Sequence, residues 1–443
     1  MRRFLPLLFC VLPAIEAAAA GPIRTPLTLR PDDVLATGNE WLSLPDIRAA
    51  DGALTTFNVL SMRDRGLLQV SGQAARPVLE PYFQADGKKL ALHDPAWELL
   101  EYWIPQARQA IDGIELTLTY CAPNDYRAAF IRLTATNHRN ESVPITMGMK
   151  ASFGQLSRVT YVPVVLRGER TVGPTPWVDP GEAFSYITND THFAWALVHP
   201  GSKATVNVPP LVLAPESDAS RAVILQPGES AEALFVLAAG VEEFSAAHNA
   251  RALREMLDRS GSQGILEQAA AWCHERTRTT GRADLDVLMN RNFLFTEMYA
   301  WGRTIDTEQL VGVTSRSPRY YVSAAYWDRD AMLWSFQGFS MSIQHARARH
   351  WNTLLLSSCA TLARTAGSST AWCLKTVSSL TKPSLRSLPW PHTCAQPAIS
   401  NFCWRIVRRW SCCAIVCWAA SMLPSACTLR CKIRKTSIRS CPF

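Results

Sequence analysis

Acidic residues stop at Asp330, although 113 further residues follow it. Residues 331–443 contain 14 Lys or Arg and no Asp or Glu, whereas residues 1–330 contain 31 basic and 37 acidic residues. The formal charge of +8 is therefore a local excess on a chain whose first three quarters carry −6. Because folded surfaces normally mix both signs of charge, residues 1–330 are typical of a globular protein and residues 331–443 are not. Because the excess of basic residues is confined to residues 331–443, it does not indicate a nucleic-acid-binding surface.

Cysteine use divides the chain in the same region. Cys10, Cys121 and Cys273 come early, and the other ten of the 13 cysteines lie between Cys359 and Cys441. Ten cysteines in a secreted segment can form five disulfides. Such a framework leaves the missing carboxylates unexplained.

Residues 1–20 have the pattern of a signal peptide. Arg2 and Arg3 precede an apolar run at 4–15, and three alanines at 18–20 offer a cleavage site. The alternative is a mis-chosen start codon, since GC-rich DNA also translates into Ala, Arg and Leu. A signal peptide predicts a secreted or periplasmic protein, and a mis-chosen start predicts a cytoplasmic one. No run reaches the ~20 apolar residues of a membrane helix, so no membrane partner is expected.

Residues 25–235 alternate between apolar and polar side chains, with Gly, Pro, Asn and Asp between the segments. This period of two predicts strands, and ten or more short strands without helices between them predict a large antiparallel β-sandwich. The clearest predicted strands span 55–60, 114–120, 128–136, 143–152, 192–198 and 222–225.

Helical spacing replaces this alternation after residue 240. We predict helices at 241–260, 265–277 and 284–302, with Gly261 separating the first two, and a fourth that starts near Asp328. The loop of about twenty residues before that fourth helix runs directly into a helix start, which is a usual place for site residues.

The end of this loop combines aromatic, acidic and guanidinium side chains. Aromatic rings stack on the apolar face of a pyranose, while carboxylate and guanidinium groups bind hydroxyls directionally. The structural alternative makes Asp328 an N-cap, Asp330 a favourable charge for the helix dipole and Arg329 a surface ion pair. Residue types alone support the two interpretations equally. The candidate substrate-binding residues are Tyr326, Trp327, Asp328, Arg329 and Asp330.

A β-sandwich followed by helices, with Trp-Asp-Arg-Asp opening an early helix, resembles the six-hairpin glycosidases. These enzymes have an (α/α)6 barrel and include glucoamylases and glycogen-debranching amylo-α-1,6-glucosidases. The segments EYWIP at 101–105 and GIELTLTYCAP at 113–123 are similar to the sandwich domains that precede such barrels. The likeness covers about residues 30–340. In that family a W-x-R-D sequence helps to bind the terminal sugar, so the likeness implies that Arg329 and Asp330 contact substrate, supported by Trp327 and Asp328.

The resemblance implies an exo-acting glycoside hydrolase for α-glycosidic bonds of oligosaccharides or polysaccharides. That reaction needs two carboxyl groups, one to protonate the leaving oxygen and one to activate water or attack the sugar. In a six-hairpin barrel both come from later hairpins, and no residue after Asp330 can supply them. The catalytic residues are therefore unknown, and the chain as written is expected to be inactive. We expect no cofactor, metal or nucleic-acid partner.

A shifted reading frame would explain the loss of carboxylates. Back-translation shifted by one base permits WSFPGLFDV from Trp334 and recovers acidic residues between Ala371 and Pro383. We therefore expect a frameshift near codons 335–340. Residues 241–340 would then be a linker helix and the first helices of a truncated barrel, and residues 341–443 an out-of-frame, disordered tail.

Two other functions fit the same residues. A disaccharide phosphorylase pairs a similar sandwich and barrel but uses phosphate and one acid. A non-enzymatic, secreted carbohydrate-binding sandwich with an unrelated cysteine-rich tail would need no barrel.

Overall fold

The computed structural model describes residues 21–73, 76–160, 162–175, 180–189, 191–208 and 214–317. These residues form 22 strands and two helices, and the paired strands run antiparallel. The predicted signal peptide and the predicted tail lie outside them.

The first layer is a nine-stranded sheet. In sheet order its strands are β1 (Arg24–Leu27), β8 (Ala96–Leu100), β9 (Ile104–Ile111), β10 (Ile114–Cys121), β11 (Ala128–Asn137), β20 (Ser230–Gly240), β17 (His192–Val198), β16 (Gly181–Ile187) and β15 (Glu169–Pro174).

The second layer consists of a five-stranded and a six-stranded sheet. Leu54 links them through isolated bridges to Ile47 and Leu79. The five-stranded sheet contains β18 (Lys203–Asn207), β19 (Glu216–Leu225), β12 (Val143–Ser152), β6 (Leu79–Ala85) and β7 (Lys88–Leu90). The six-stranded sheet contains β14 (Pro163–Val165), β13 (Gln155–Val159), β5 (Gly66–Ser71), β4 (Thr56–Ser61), β3 (Leu42–Arg48) and β2 (Val34–Gly38).

The core between the layers follows from strand alternation. On β17, Phe193, Trp195 and Leu197 belong to the inter-layer core, while Ala194 and Ala196 belong to a second core on the outer face of the nine-stranded sheet. Trp195 stacks on a neighbouring phenylalanine ring of β16 with centroids 4.0 Å apart. A strand buried on both faces is apolar throughout, which is why residues 193–198 form a continuous hydrophobic run.

Helix α1 (Glu243–His274) covers the outer face of the nine-stranded sheet. Helix α2 (Ala283–Tyr299) shares the same apolar core and packs its aromatic rings against Trp103. Helix α1 begins with a capping box, in which Glu242 accepts from the backbone of Ser245 and Ser245 accepts in return from Glu242 N–H. A Cβ at Gly240 would lie 2.2 Å from the Ser245 oxygen. Glycine at the end of β20 therefore lets the helix start directly against the sheet.

The predicted strands at 143–152 and 192–198 are confirmed residue for residue. The predicted break at Gly261 is also confirmed, because that residue has φ 71° and ψ 160° inside α1. Two helix ends were predicted too late, since α1 ends at His274 and α2 at Tyr299. The chain after α2 pairs instead as a short hairpin of β21 (Trp301–Arg303) with β22 (Leu310–Gly312).

No helix in the part of the chain described by the structure is long and apolar enough to cross a membrane.

Candidate functional site

The five residues predicted to bind substrate lie outside the described residues. They are Tyr326, Trp327, Asp328, Arg329 and Asp330. The structure bears on this candidate site through the segment that leads to it, residues 301–317.

The leading segment is hydrogen-bonded to the second layer at the β4–β5 turn. The Asp306 carboxylate accepts backbone hydrogen bonds from Met62, at 3.0 Å, and from Arg63, at 2.7 Å. Ile305 N–H donates to the Leu60 carbonyl oxygen at 2.7 Å. These contacts give the start of the loop a defined position on the sandwich.

Arg316 anchors the other end of the leading segment through hydrogen bonds to the backbone. Its side chain is fully buried, and its Nη1 donates to the carbonyl oxygens of Asn39 at 2.6 Å and Met298 at 2.9 Å. The Nε and Nη2 atoms have no hydrogen-bond partner. Burial lowers the pKa of Arg316 to about 10, with Tyr299 and Glu40 partly opposing the shift. The guanidinium therefore stays charged at neutral pH while tying α2 to the chain that precedes the motif.

A second aromatic and charged cluster lies beside this hairpin. The Arg127 guanidinium lies 4.2 Å from the Trp41 ring centroid, and Arg303 lies 5.7 Å from it. Arg303 pairs with Glu40 at 2.9 Å, and Arg127 pairs with Glu308 at 2.5 Å. The hydrogen bond from Arg127 lowers the pKa of the Glu308 carboxyl. Because each guanidinium already has a carboxylate, the cluster is best explained as attaching the hairpin to the sandwich.

A groove of about 310 Å³ lies on the five-stranded sheet. Beside it the Tyr82 ring crosses from β6 over β12, where a Cβ at Gly148 would lie 2.2 Å from the ring. The Tyr82 hydroxyl donates to Asp218 of β19 at 2.8 Å, and Lys150 lies 5.7 Å from the ring centroid. We call Tyr82, Gly148, Lys150 and Asp218 the Tyr82 platform.

Two carboxylate–imidazole pairs also occur, and both are best explained as structural contacts. Glu182 and His199 lie 2.9 Å apart, but Glu182 is only 4% exposed and His199 is fully buried. His274 at the end of α1 lies 3.0 Å from buried Glu101, whose other oxygen accepts from the backbone of Ile23. That pair joins the helix to the chain start.

Among the described residues, no group of three or more His, Cys, Asp or Glu side chains could hold a metal ion.

None of the platform residues is recognisable as a site residue from the sequence. Alternation on β6 does place Tyr82 on the face opposite buried Phe83. The neighbours across the sheet, however, depend on the pairing of β12 with β6 and β19, which no local pattern encodes.

Neither the protein-family models nor the curated proteins that were searched match this sequence.

Several solved structures that are similar to the chain have names of carbohydrate-active proteins. A protein assigned as a kojibiose phosphorylase, from the human microbiome, is 8% identical with a TM-score of 0.43, covering 63% of this chain and 43% of that one. A bacterial glucoamylase complexed with acarbose is 8% identical with a TM-score of 0.34, covering 63% and 43%. A galactose mutarotase-like protein from Lactobacillus casei is 10% identical with a TM-score of 0.32, covering 47% and 100%.

The chain spans less than half the length of the phosphorylase and of the glucoamylase. At these identities and TM-scores the likenesses assign neither an activity nor a family.

Proposed function

We propose that this chain is the sandwich and the beginning of the barrel of an exo-acting glycoside hydrolase for α-glycosidic bonds. The observation that carries the proposal is the Trp327-Asp328-Arg329-Asp330 sequence, placed after a β-sandwich and two helices. Arg329 and Asp330 would hold the terminal sugar through charge-assisted hydrogen bonds to its hydroxyls.

The proposed domain division is a sandwich at 25–235 and the start of an (α/α)6 domain at 241–340. Helix α2 supports it with an apolar face that has no partner among the described residues. Leu285 is 40% exposed and Leu288 is 62% exposed, one turn apart on that face. In a helical barrel each helix packs against neighbours on both sides, so this face would pack against helices that the shifted frame encodes.

The first experiment is to sequence the genomic DNA from codon 325 to well past codon 443. An open shifted frame rich in acidic codons is the expected result, because the two carboxyl groups of the reaction must lie there. A stop codon early in that frame would end the frameshift proposal. The written tail would then be genuine, and the non-enzymatic carbohydrate-binding function would be favoured.

The second experiment restores the frame near codons 335–340 and assays the repaired chain on maltooligosaccharides. We expect release of monosaccharide without phosphate, and about a 100-fold lower kcat/KM in Arg329→Lys and Asp330→Asn, because each loses a charged contact to the sugar. Arg251→Lys, on the exposed side of α1, is the matched control and should leave kcat/KM unchanged. Release of a sugar phosphate only in the presence of inorganic phosphate would instead identify a phosphorylase.

A further inference from the structure

We propose that the Tyr82 platform binds a pyranose unit of an uncharged polysaccharide. The inference concerns a site on the sandwich itself. It does not depend on the proposed hydrolase activity, because every residue that carries it lies between Arg76 and Ser220.

The first argument is the shape of the surface. In β12, Gly148 pairs with Tyr82 of β6 on one side and Ser220 of β19 on the other. A Cβ at Gly148 would lie 2.2 to 2.4 Å from three atoms of the tyrosine, so glycine is required for the ring to lie flat across the strand. A flat aromatic ring on a sheet offers the stacking surface that the apolar face of a sugar needs.

The second argument is the set of polar groups around the ring. Tyr82 is half-buried, and the ammonium of exposed Lys150 lies over its ring, 5.7 Å from the centroid. Asp218 accepts a hydrogen bond from the Tyr82 hydroxyl at 2.8 Å. The adjoining groove is lined by Ser152 and Ser217, whose buried hydroxyls have no hydrogen-bond partner. Donors and acceptors of both kinds beside an aromatic surface suit hydroxyl groups.

The third argument is charge. The lining holds Arg76 and Lys150 against Glu80, Glu216 and Asp218, and Arg76 forms an ion pair with Glu216. This near-balance of charge favours a neutral ligand over a polyanion such as nucleic acid or an acidic glycan.

The tyrosine is also held in its neutral form. Burial, and after it the hydrogen bond to Asp218, raises the pKa of Tyr82 to about 12. At physiological pH the hydroxyl therefore keeps its proton and the bond that fixes the ring in place.

Native gel electrophoresis with embedded polysaccharide tests the proposal. The full chain, carried on a solubility tag without glycan affinity, is run in gels containing glycogen, barley β-glucan or galactomannan. We expect retardation in at least one gel and at least tenfold weaker binding in Tyr82→Ala. Tyr82→Phe keeps the ring and should stay within about threefold of the original binding.

Gly148→Val provides a test that does not remove the tyrosine. Valine suits a strand, but its side chain would occupy the position of the ring, so binding should fall as in Tyr82→Ala while the unfolding temperature stays close to that of the original chain. Phe244→Ala removes an exposed aromatic ring on α1 and should leave retardation unchanged.

Mobility unaffected by all three polysaccharides, or retardation that survives Gly148→Val, overturns the proposal. The failure of this inference can be told apart from the failure of the hydrolase proposal. Absence of glycan binding together with an open shifted frame contradicts only the platform, and glycan binding together with a closed shifted frame contradicts only the hydrolase.

Discussion

At the scale of single residues, Arg316 shows how a charge can be kept inside a protein. Its Nη1 donates to three carbonyl oxygens, those of Asn39, Met298 and Trp301, and Gly302 leaves room for its side chain. Met298 lies in the last turn of α2, where backbone carbonyls carry partial negative charge and lack partners within the helix. The guanidinium therefore satisfies acceptors that would otherwise be buried without a donor.

Replacing Arg316 with methionine tests this role. We expect Arg316→Met to lower the free energy of unfolding by about 2–4 kcal/mol, because buried carbonyls lose their donor. The folded and unfolded states both keep this guanidinium protonated near neutrality, so the loss should not change between about pH 6 and 8. Urea unfolding followed by tryptophan fluorescence measures it.

The matched control is Arg251→Met, on an exposed i,i+4 pair of α1. It should change the free energy of unfolding by no more than ~0.5 kcal/mol. Equal effects of the two substitutions would show that the buried bonds contribute nothing specific.

At the scale of secondary-structure elements, helix α1 is two helical halves joined at Gly261. That residue has a positive φ of 71° and no atom within 4 Å of a potential Cβ. Any effect of adding a side chain there is therefore conformational and not a matter of space. The two halves can each lie along the curved, twisted nine-stranded sheet because the axis changes direction between them.

Alanine substitutions at two glycines of α1 separate conformation from helix propensity. Gly261→Ala should cost about 1–2 kcal/mol, because an L-residue is strained at positive φ. Gly264→Ala should gain about 0.5–1 kcal/mol, because a Cβ there meets only Ser260 at an ordinary 3.5 Å. Thermal unfolding followed by circular dichroism checks both. A gain at Gly261 would mean that the kink is not required by the packing of the helix.

At the scale of the whole molecule, the chain divides by charge and by cysteine content. Residues 331–443 hold 14 basic residues and no acidic ones, so they offer many tryptic sites and no opposite charges for ion pairs. The sandwich has an apolar core between its layers, and both helices share a second core with the outer face of the nine-stranded sheet. The two parts are expected to differ in resistance to protease.

Limited trypsin digestion tests this division. We expect early cleavage beyond residue 341 and a resistant fragment covering about residues 21–317, since proteolysis concentrates where backbone is not held by packing. Intact-mass spectrometry identifies the fragment, and the same digestion after thiol reduction is the control. A tail that resists trypsin until its disulfides are reduced would favour a genuine cysteine-rich domain.

The sandwich was the predictable part of this fold. Strand β12 follows from alternation, because a strand with its faces in different surroundings changes polarity from residue to residue. Strand β17 shows instead a short apolar run between turn residues, as expected of a strand buried on both faces. The end of α2 was missed because Trp301–Arg303 pairs with a strand seven residues further on, and that pairing overrides the helical pattern of the preceding turns. Of the candidate site, the Trp327–Asp330 motif was visible in the sequence, whereas the Tyr82 platform was not.

Local order along the chain, namely the strands, the break at Gly261 and the loss of carboxylates after Asp330, followed from the amino-acid sequence alone. Neighbouring residues set these features, so a short window of sequence contains them. Tertiary structure alone decided that Leu54 joins two sheets, that Arg316 is buried, and that Tyr82 reaches Asp218 across a glycine. These contacts join residues far apart in the chain, and they depend on strand register and layer packing. Loops of many lengths can connect the same strands, so the local sequence does not determine which residues meet.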